Sequence, residues 1–333
     1  MSPSPSFAAM IEERLLIPAY ASRWGRAPII AHRGMALPLQ LSGDVRRRSV
    51  KLAGGKVEIV EIGRVKRLAA LGTRLFGELP QARQEMRRAL WSPAALSNEA
   101  GADIVLAEVH RWMAPRFRRA GWLIVPQSVR WLGELASVPP RDCSHGLLDN
   151  MRKVRREGFT IEQKSLPEDW DEFYASMVAP QALVRHGPSA WIPSRQLMSE
   201  LSRAGILHFI TRGGERVAGL CTVPRGNTLW LAISGVRQGD PLLLQQGAGF
   251  ATFWLTIEWA RSQGYEYLDA GRTGPFVNDG LQRYKRTWGL ASTVDPLAHV
   301  AAVLVNSPAV REAFTREPVL VENGSSLRVY AGE

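Results

Sequence analysis

Between Ile206 and Ala270 the chain permits few folds. Two alternating apolar runs, 206–212 and 215–223, flank Gly213 and Gly214, and a third, 228–234, follows Gly226 and Asn227. Glycines between alternating runs signal hairpins, because they supply the positive φ that tight turns require. A helical pattern over 245–263 comes next, with Phe250, Phe253, Trp254, Ile257 and Ala260 on one stripe. Gly264 ends it, and residues 265–270 read as one more strand. A hairpin, a strand, a long helix and a strand in this order belong to the mixed α/β class.

The flanking segments fit the same class. Residues 45–62 form two alternating runs about Gly54 and Gly55, a second hairpin signal. Spacing then predicts helices over 64–78 and 81–91, a buried strand over 102–109, a helix over 111–119, a strand over 121–125 and a helix over 127–136. The Pro-rich segment 138–142 is the predicted boundary between a basic α/β module, 1–140, and a second domain, 141–333. That domain opens with a helix over 144–157, capped by Ser144, and continues with a strand over 159–163. Helices over 166–184 and 194–203 follow, the second capped by Ser194. The tail predicts a strand over 299–305 and a helix over 309–315.

Charge is distributed unevenly. Residues 1–160 hold 26 Lys and Arg against 14 Asp and Glu, whereas residues 161–333 hold 16 against 17. Clusters at Arg46–Arg48, Arg116–Arg119 and Arg152–Arg156 suit an anionic partner such as RNA, a phosphorylated cofactor or an acidic membrane surface. Cys143 and Cys221 lie too far apart for a paired-cysteine motif, which argues against a disulfide framework or a Cys-rich metal site. The N-terminal sequence MSPSPSFAAMIEERLL lacks the basic start and apolar core of a signal peptide, and no apolar run is long enough to span a bilayer. A cytoplasmic protein, peripheral at most to the inner membrane, is the expectation. No spacing predicts a metal site.

The densest chemistry lies in YEYLDAGRTGPFVNDGLQRYKRTWGL, residues 265–290. Asp269 and Arg272 stand at the exit of a strand, followed by Tyr284, Lys285 and Arg286 on a short basic helix. Strand mouths carrying acids and bases are where folds keep reactive groups. Asp269 is a candidate to hold or deprotonate an attacking amine, with burial shifting its pKa. Lys285 with Tyr284 suits a phosphate or a developing oxyanion, and Arg272 suits a phosphate or carboxylate clamp. Upstream, Gln245, Gly247 and Gly249 stand at a helix start whose free N–H groups suit a phosphate. Arg185 and His186 close a polar turn and are candidates to touch an acceptor. His208, Trp254 and Trp288 read as structural.

These residues resemble the acyl-CoA N-acyltransferase (GNAT) superfamily, in the branch near the Fem-type peptidoglycan aminoacyltransferases. Residues 149–158, DNMRKVRREG, resemble that branch's N-x-R-K-x-x-(R/K)-x-G helix. Arg185-His186-Gly187 resembles its R-H-G turn, and Val217-Ala218-Gly219 its V-A-G core strand. YLDAGR at 267–272 and DGLQRYKRTWG at 279–289 resemble its closing F-D-x-G-R … G-L-x-R-F-K-x-x-W-G signature. The likeness covers about residues 142–290.

The resemblance implies a GNAT-like mixed, mainly antiparallel sheet flanked by helices, with residues 20–140 as a degenerate first copy of the module. It implies an acyl donor, acetyl-CoA or another acyl-CoA, lying between the strands at 228–234 and 265–270. The donor's pyrophosphate would rest on the helix start at Gln245, Gly247 and Gly249. The family's usual loop is (Q/R)-x-x-G-x-(G/A), and the spacing here is compressed. Transfer to an amine then proceeds by direct attack. The Fem-type alternative takes an aminoacyl group from a charged tRNA to a cell-wall or lipid-linked precursor, and in that branch the lysine matching Lys285 meets the donor's phosphate region. A third reading is a non-catalytic module of the same fold that binds nucleic acid or anionic lipid.

Overall fold

The structure, a computed structural model, describes residues 42–333 apart from Ala53, Gly54, Arg64, Trp91, Ala100 and Leu297. Residues 1–41 and the Gly54 half of the first predicted turn therefore lie outside the described residues. The described chain divides into two units. One comprises 131–271 and 285–291, the other 42–130, 272–284 and 292–333.

In the second of these, six strands lie in the order β3-β1-β2-β4-β13-β5. They are β1 (Ser42–Leu52), β2 (Gly55–Ile62), β3 (Arg83–Ala89), β4 (Ile104–Val109), β5 (Leu123–Pro126) and β13 (Val300–Val305). The predicted hairpin forms, with Val45 opposite Ile62. All six residues of β4 are buried, which marks a strand covered on both faces. Its alternation divides them: Ile104 and Leu106 join a core with Leu68 and Leu71 of helix α1 (Val65–Phe76). Val105 and Ala107 join another with Phe117 and Trp122. Residues 81–91, predicted helical, instead give β3, because β1 offers a free edge and Arg47 pairs with Glu85 across it at 2.9 Å. The tail, grouped by sequence with 141–333, supplies β13 between β4 and β5 of this sheet.

A seven-stranded sheet, ordered β12-β6-β11-β10-β9-β8-β7, builds the other unit. Its strands are β6 (Val129–Glu134), β7 (Thr160–Lys164), β8 (Ile206–Arg212), β9 (Glu215–Arg225), β10 (Thr228–Val236), β11 (Tyr267–Thr273) and β12 (Ala291–Val294). Residues 127–136 were expected to be a helix, but Val129 and Trp131 bury alternately as a strand requires. Antiparallel ladders join β7 through β10, so both sheets are mixed and mainly antiparallel. A core of Phe173, Met177, Leu197 and Leu201 against Leu207, Phe209 and Val223 covers one face.

Three helices position the site. The first is α4 (His145–Arg156), whose cap Ser144 accepts the Leu147 N–H at 3.4 Å. A second, α6 (Ala179–His186), continues a π-helical turn at Tyr174–Val178. It is fixed to β10 where the Val236 N–H donates to Gln181 Oε1 at 2.5 Å. The third predicted helix, 245–263, is broken at Gly247 (φ +100) into α8 (Pro241–Gln246) and α9 (Ala248–Ser262). A left-handed residue stops one helix, and glycine takes that conformation without strain. Here it also begins the next.

Candidate active site

The parallel ladder between β10 and β11 is three residues long, Thr228–Trp230 against Tyr267–Asp269. Past it, β10 shifts register against β9 by a bulge between Leu231 and Ile233, and β11 turns at Gly271 with φ +73. Bulges redirect a strand and end pairing, and they concentrate beside functional sites. These two strands thus part within the 131–271 unit, where the resemblance puts a donor.

Asp269 marks the parting point. It is 1% exposed; its Oδ1 accepts the Gly271 N–H at 3.0 Å, and Arg225 Nη1 lies 3.7 Å from Oδ2. The Arg225 guanidinium also stacks over Trp230, 4.3 Å from the ring centroid. Sequence proximity suggests Arg272 as the partner of Asp269. In fact Arg272 Nε bonds Asp295 Oδ2 at 2.5 Å, and that buried carboxylate also accepts from Ser128.

Gln245, Gly247 and Gly249 do come together, at the α8–α9 junction. Carbonyls of α8 end where the first N–H groups of α9 begin, and Gly247, the N-cap, has no side chain to cover those donors. Lys153 Nζ of α4 donates to the Gln245 carbonyl at 2.5 Å. Arg212 Nη1 of β8 donates to Gln246 Oε1 at 2.6 Å. Two cations therefore flank the positive end of a 15-residue helix. Lys153 stands inside the N-x-R-K motif but was not singled out; Arg212, before a Gly-Gly turn, carries no local signal.

Lys285 and Tyr284 share α10 (Gly280–Thr287). Lys285 is 5% exposed, a rare burial for a lysine, and Tyr284 is half-buried. Three residues on, Trp288 packs its ring 5.0 Å from Phe250 and 4.7 Å from Phe253, which fixes the end of α10 against the first turns of α9. Arg272 and Tyr284 fall in the other unit from Asp269 and Lys285. Arg185 and His186 are exposed in the last turn of α6, where cations favour the helix dipole. His208 is structural, as expected. It is buried against Trp259 and bonded to Thr222 Oγ1 at 3.0 Å, and burial holds its pKa down at about 4. Among the described residues no cluster of potential metal ligands forms, and no helix is long and apolar enough to cross a membrane.

Residues 141–286 match the family model described as an acetyltransferase (GNAT) domain. Comparison with curated proteins gave no match. Among solved structures, L-PGS from Bacillus licheniformis is 14% identical, with a TM-score of 0.42 over 78% of this chain and 84% of that one. The C-terminal domain of a putative lysylphosphatidylglycerol synthetase from Agrobacterium fabrum is 13% identical, with a TM-score of 0.41 over 91% and 94%. FemX is 11% identical, with a TM-score of 0.42 over 80% and 85%. Acyl transfer is the chemistry of the matched domain family. The match to the acetyltransferase (GNAT) domain spans residues 141–286, somewhat under half of the chain.

Proposed function

We propose that this domain moves an acyl group from acyl-CoA to an amine. The observation that carries this reading is the α8–α9 junction: the start of α9, which its N-cap Gly247 leaves without a side-chain cap, with Lys153 and Arg212 at its rim, suits a pyrophosphate. The thioester would lie where β10 and β11 part. The amine's lone pair attacks the carbonyl carbon, the C–S bond breaks, and the departing thiolate takes up the proton that the nitrogen loses. Lys285 is assigned to the donor's phosphates, and Arg185 and His186 to the acceptor. Asp269, tied to Arg225 and the Gly271 amide, is better suited to fixing where the strands separate than to taking a proton.

A second reading, tRNA-dependent aminoacyl transfer to an envelope precursor, draws on the compressed spacing at Gly247 and on exposed Arg116, Arg119, Arg155 and Arg156. The cluster Arg46–Arg48 lends it little, because those guanidinium groups are spent inside the fold on Gly63, Glu85, Glu99 and Glu61. Calorimetry with acetyl-CoA and with aminoacyl-tRNA separates the two. Micromolar binding of acetyl-CoA that weakens in Lys153→Met supports the first. Binding of charged tRNA alone, lost as salt rises, replaces it with the second. Binding without turnover of any amine leaves a non-catalytic module.

A further inference from the structure

The core of the six-stranded-sheet unit is incompletely filled. A cavity of about 250 Å³ lies wholly within that unit, beside the cluster that α1 forms with the sheet. Leu68 and Leu71 of α1 and Val125 of β5 line it, each at most 7% exposed, so its inner wall is shielded from bulk water. Phe276 and Ala301, half-buried against the same core, complete the apolar part. Gln127 and Gly274 stand exposed at its mouth. Two titratable side chains, Glu108 and His299, also belong to the lining, and both are engaged inside the fold. Glu108 Oε1 is 3.9 Å from His299 Nδ1, and an added Cβ on Gly63 would fall 3.2 Å from Glu108 Oε2.

Since Glu108 and His299 already have partners, neither calls for a counter-charge from a ligand. The Leu and Val side chains of the inner wall offer nothing to replace the hydration that an ion would shed on entering. Water against such a wall makes fewer hydrogen bonds than in bulk, and an apolar group that displaces it gains free energy. A largely apolar concavity of this kind is the usual form of a small-molecule site. We propose that this cavity binds a small neutral aryl or alicyclic compound, with its ring among Leu68, Leu71, Val125 and Phe276 and any hydroxyl turned to the mouth. A cavity of about 150 Å³ takes benzene, so this one admits a ligand of roughly ten non-hydrogen atoms. Nothing in this cavity depends on acyl transfer.

The full chain, titrated with 2-phenylethanol, 2-phenylethylamine and phenylacetate, tests this by calorimetry and by methyl NMR of Leu68, Leu71 and Val125. The alcohol is expected to shift those methyl signals and to bind roughly tenfold or more tightly than the cation or the anion. Ala301→Leu, which adds bulk to the cavity wall from β13, is expected to weaken the alcohol at least tenfold while circular dichroism shows the parent fold. No binding of the alcohol at millimolar concentration, equal or tighter binding of either ion, or full alcohol affinity in Ala301→Leu overturns the assignment. Should Ala301→Leu not fold, the three-ligand comparison on the unaltered protein decides alone.

Discussion

Lys153 and Gln245, 92 residues apart in sequence, meet where the lysine Nζ donates to the glutamine carbonyl at 2.5 Å. That bond neutralises the end of α8 and sets an ammonium beside the first turn of α9. A residue of the entry helix, α4, thereby becomes part of the proposed donor seat.

Replacing Lys153 by methionine keeps the alkyl stem and removes the charge. Acetyl-CoA affinity is expected to fall about tenfold, within the range of one charge-assisted hydrogen bond. The effect belongs in KM and in the calorimetric Kd, with kcat within about twofold. An unchanged Kd would remove Lys153 from the seat.

Asp269→Ala removes a buried carboxylate that accepts the Gly271 N–H and lies 3.7 Å from Arg225. Stability is expected to drop by about 3–5 kcal/mol in urea unfolding, as when one partner of a buried pair is lost. Asp269→Asn keeps an acceptor for the Gly271 N–H and should lose less. A stable Asp269→Asn enzyme with its rate abolished would make Asp269 the base after all.

Acid should destabilise the 131–271 unit through His208. Unfolded, this imidazole takes a proton below its ordinary pKa of 6.5; folded, burial delays that to about 4. Between those values protons favour the unfolded chain, so stability is intact above about pH 6.5 and is lost as pH falls toward 4. The loss attributable to His208 reaches about 3 kcal/mol. Urea unfolding at pH 7 and pH 4.5 should show a smaller difference in His208→Phe than in the unaltered protein.

Of the two thiols, Cys221 lies fully buried, and burial pushes its pKa far up. Cys143 is half-buried. One equivalent of a thiol-specific disulfide reagent should react with the native protein and two after unfolding. Fast modification of both in the native state would contradict the packing around β9.

Gly235 of β10 admits the π-helical turn: an added Cβ would stand 2.5 Å from the Met177 carbonyl carbon. Backbone cannot yield as a side-chain tip can, so Gly235→Ala is expected to cost about 3 kcal/mol, the upper end for overpacking. A thermal melt against the parent protein checks this.

Local patterns were readable and distant partners were not. Ser144 and Ser194 were legible as caps because their bonds, to Leu147 and Leu197, close within three residues. The segment 83–89 has helical spacing, yet β1 claims its backbone from some 40 residues away. Gly247 was legible as a helix start but not as the stop of another helix, since φ is not written in composition. Asp269 stood out, but its partner is Arg225, 44 residues upstream, and the nearby Arg272 is taken by Asp295. Lys285 was named from a motif, but its burial depends on the folded surroundings, which no short window contains.

The place of β13 bears on the order in which the chain can fold during synthesis. β4 and β5 are made early, but the strand that joins them spans residues 300–305. At roughly 5–20 residues per second, a ribosome takes on the order of 10–40 s to travel from β5 to β13. All of 131–271 emerges in that interval. The sheet begun first is therefore completed last, and its half-built edges must wait while the seven-stranded sheet is made.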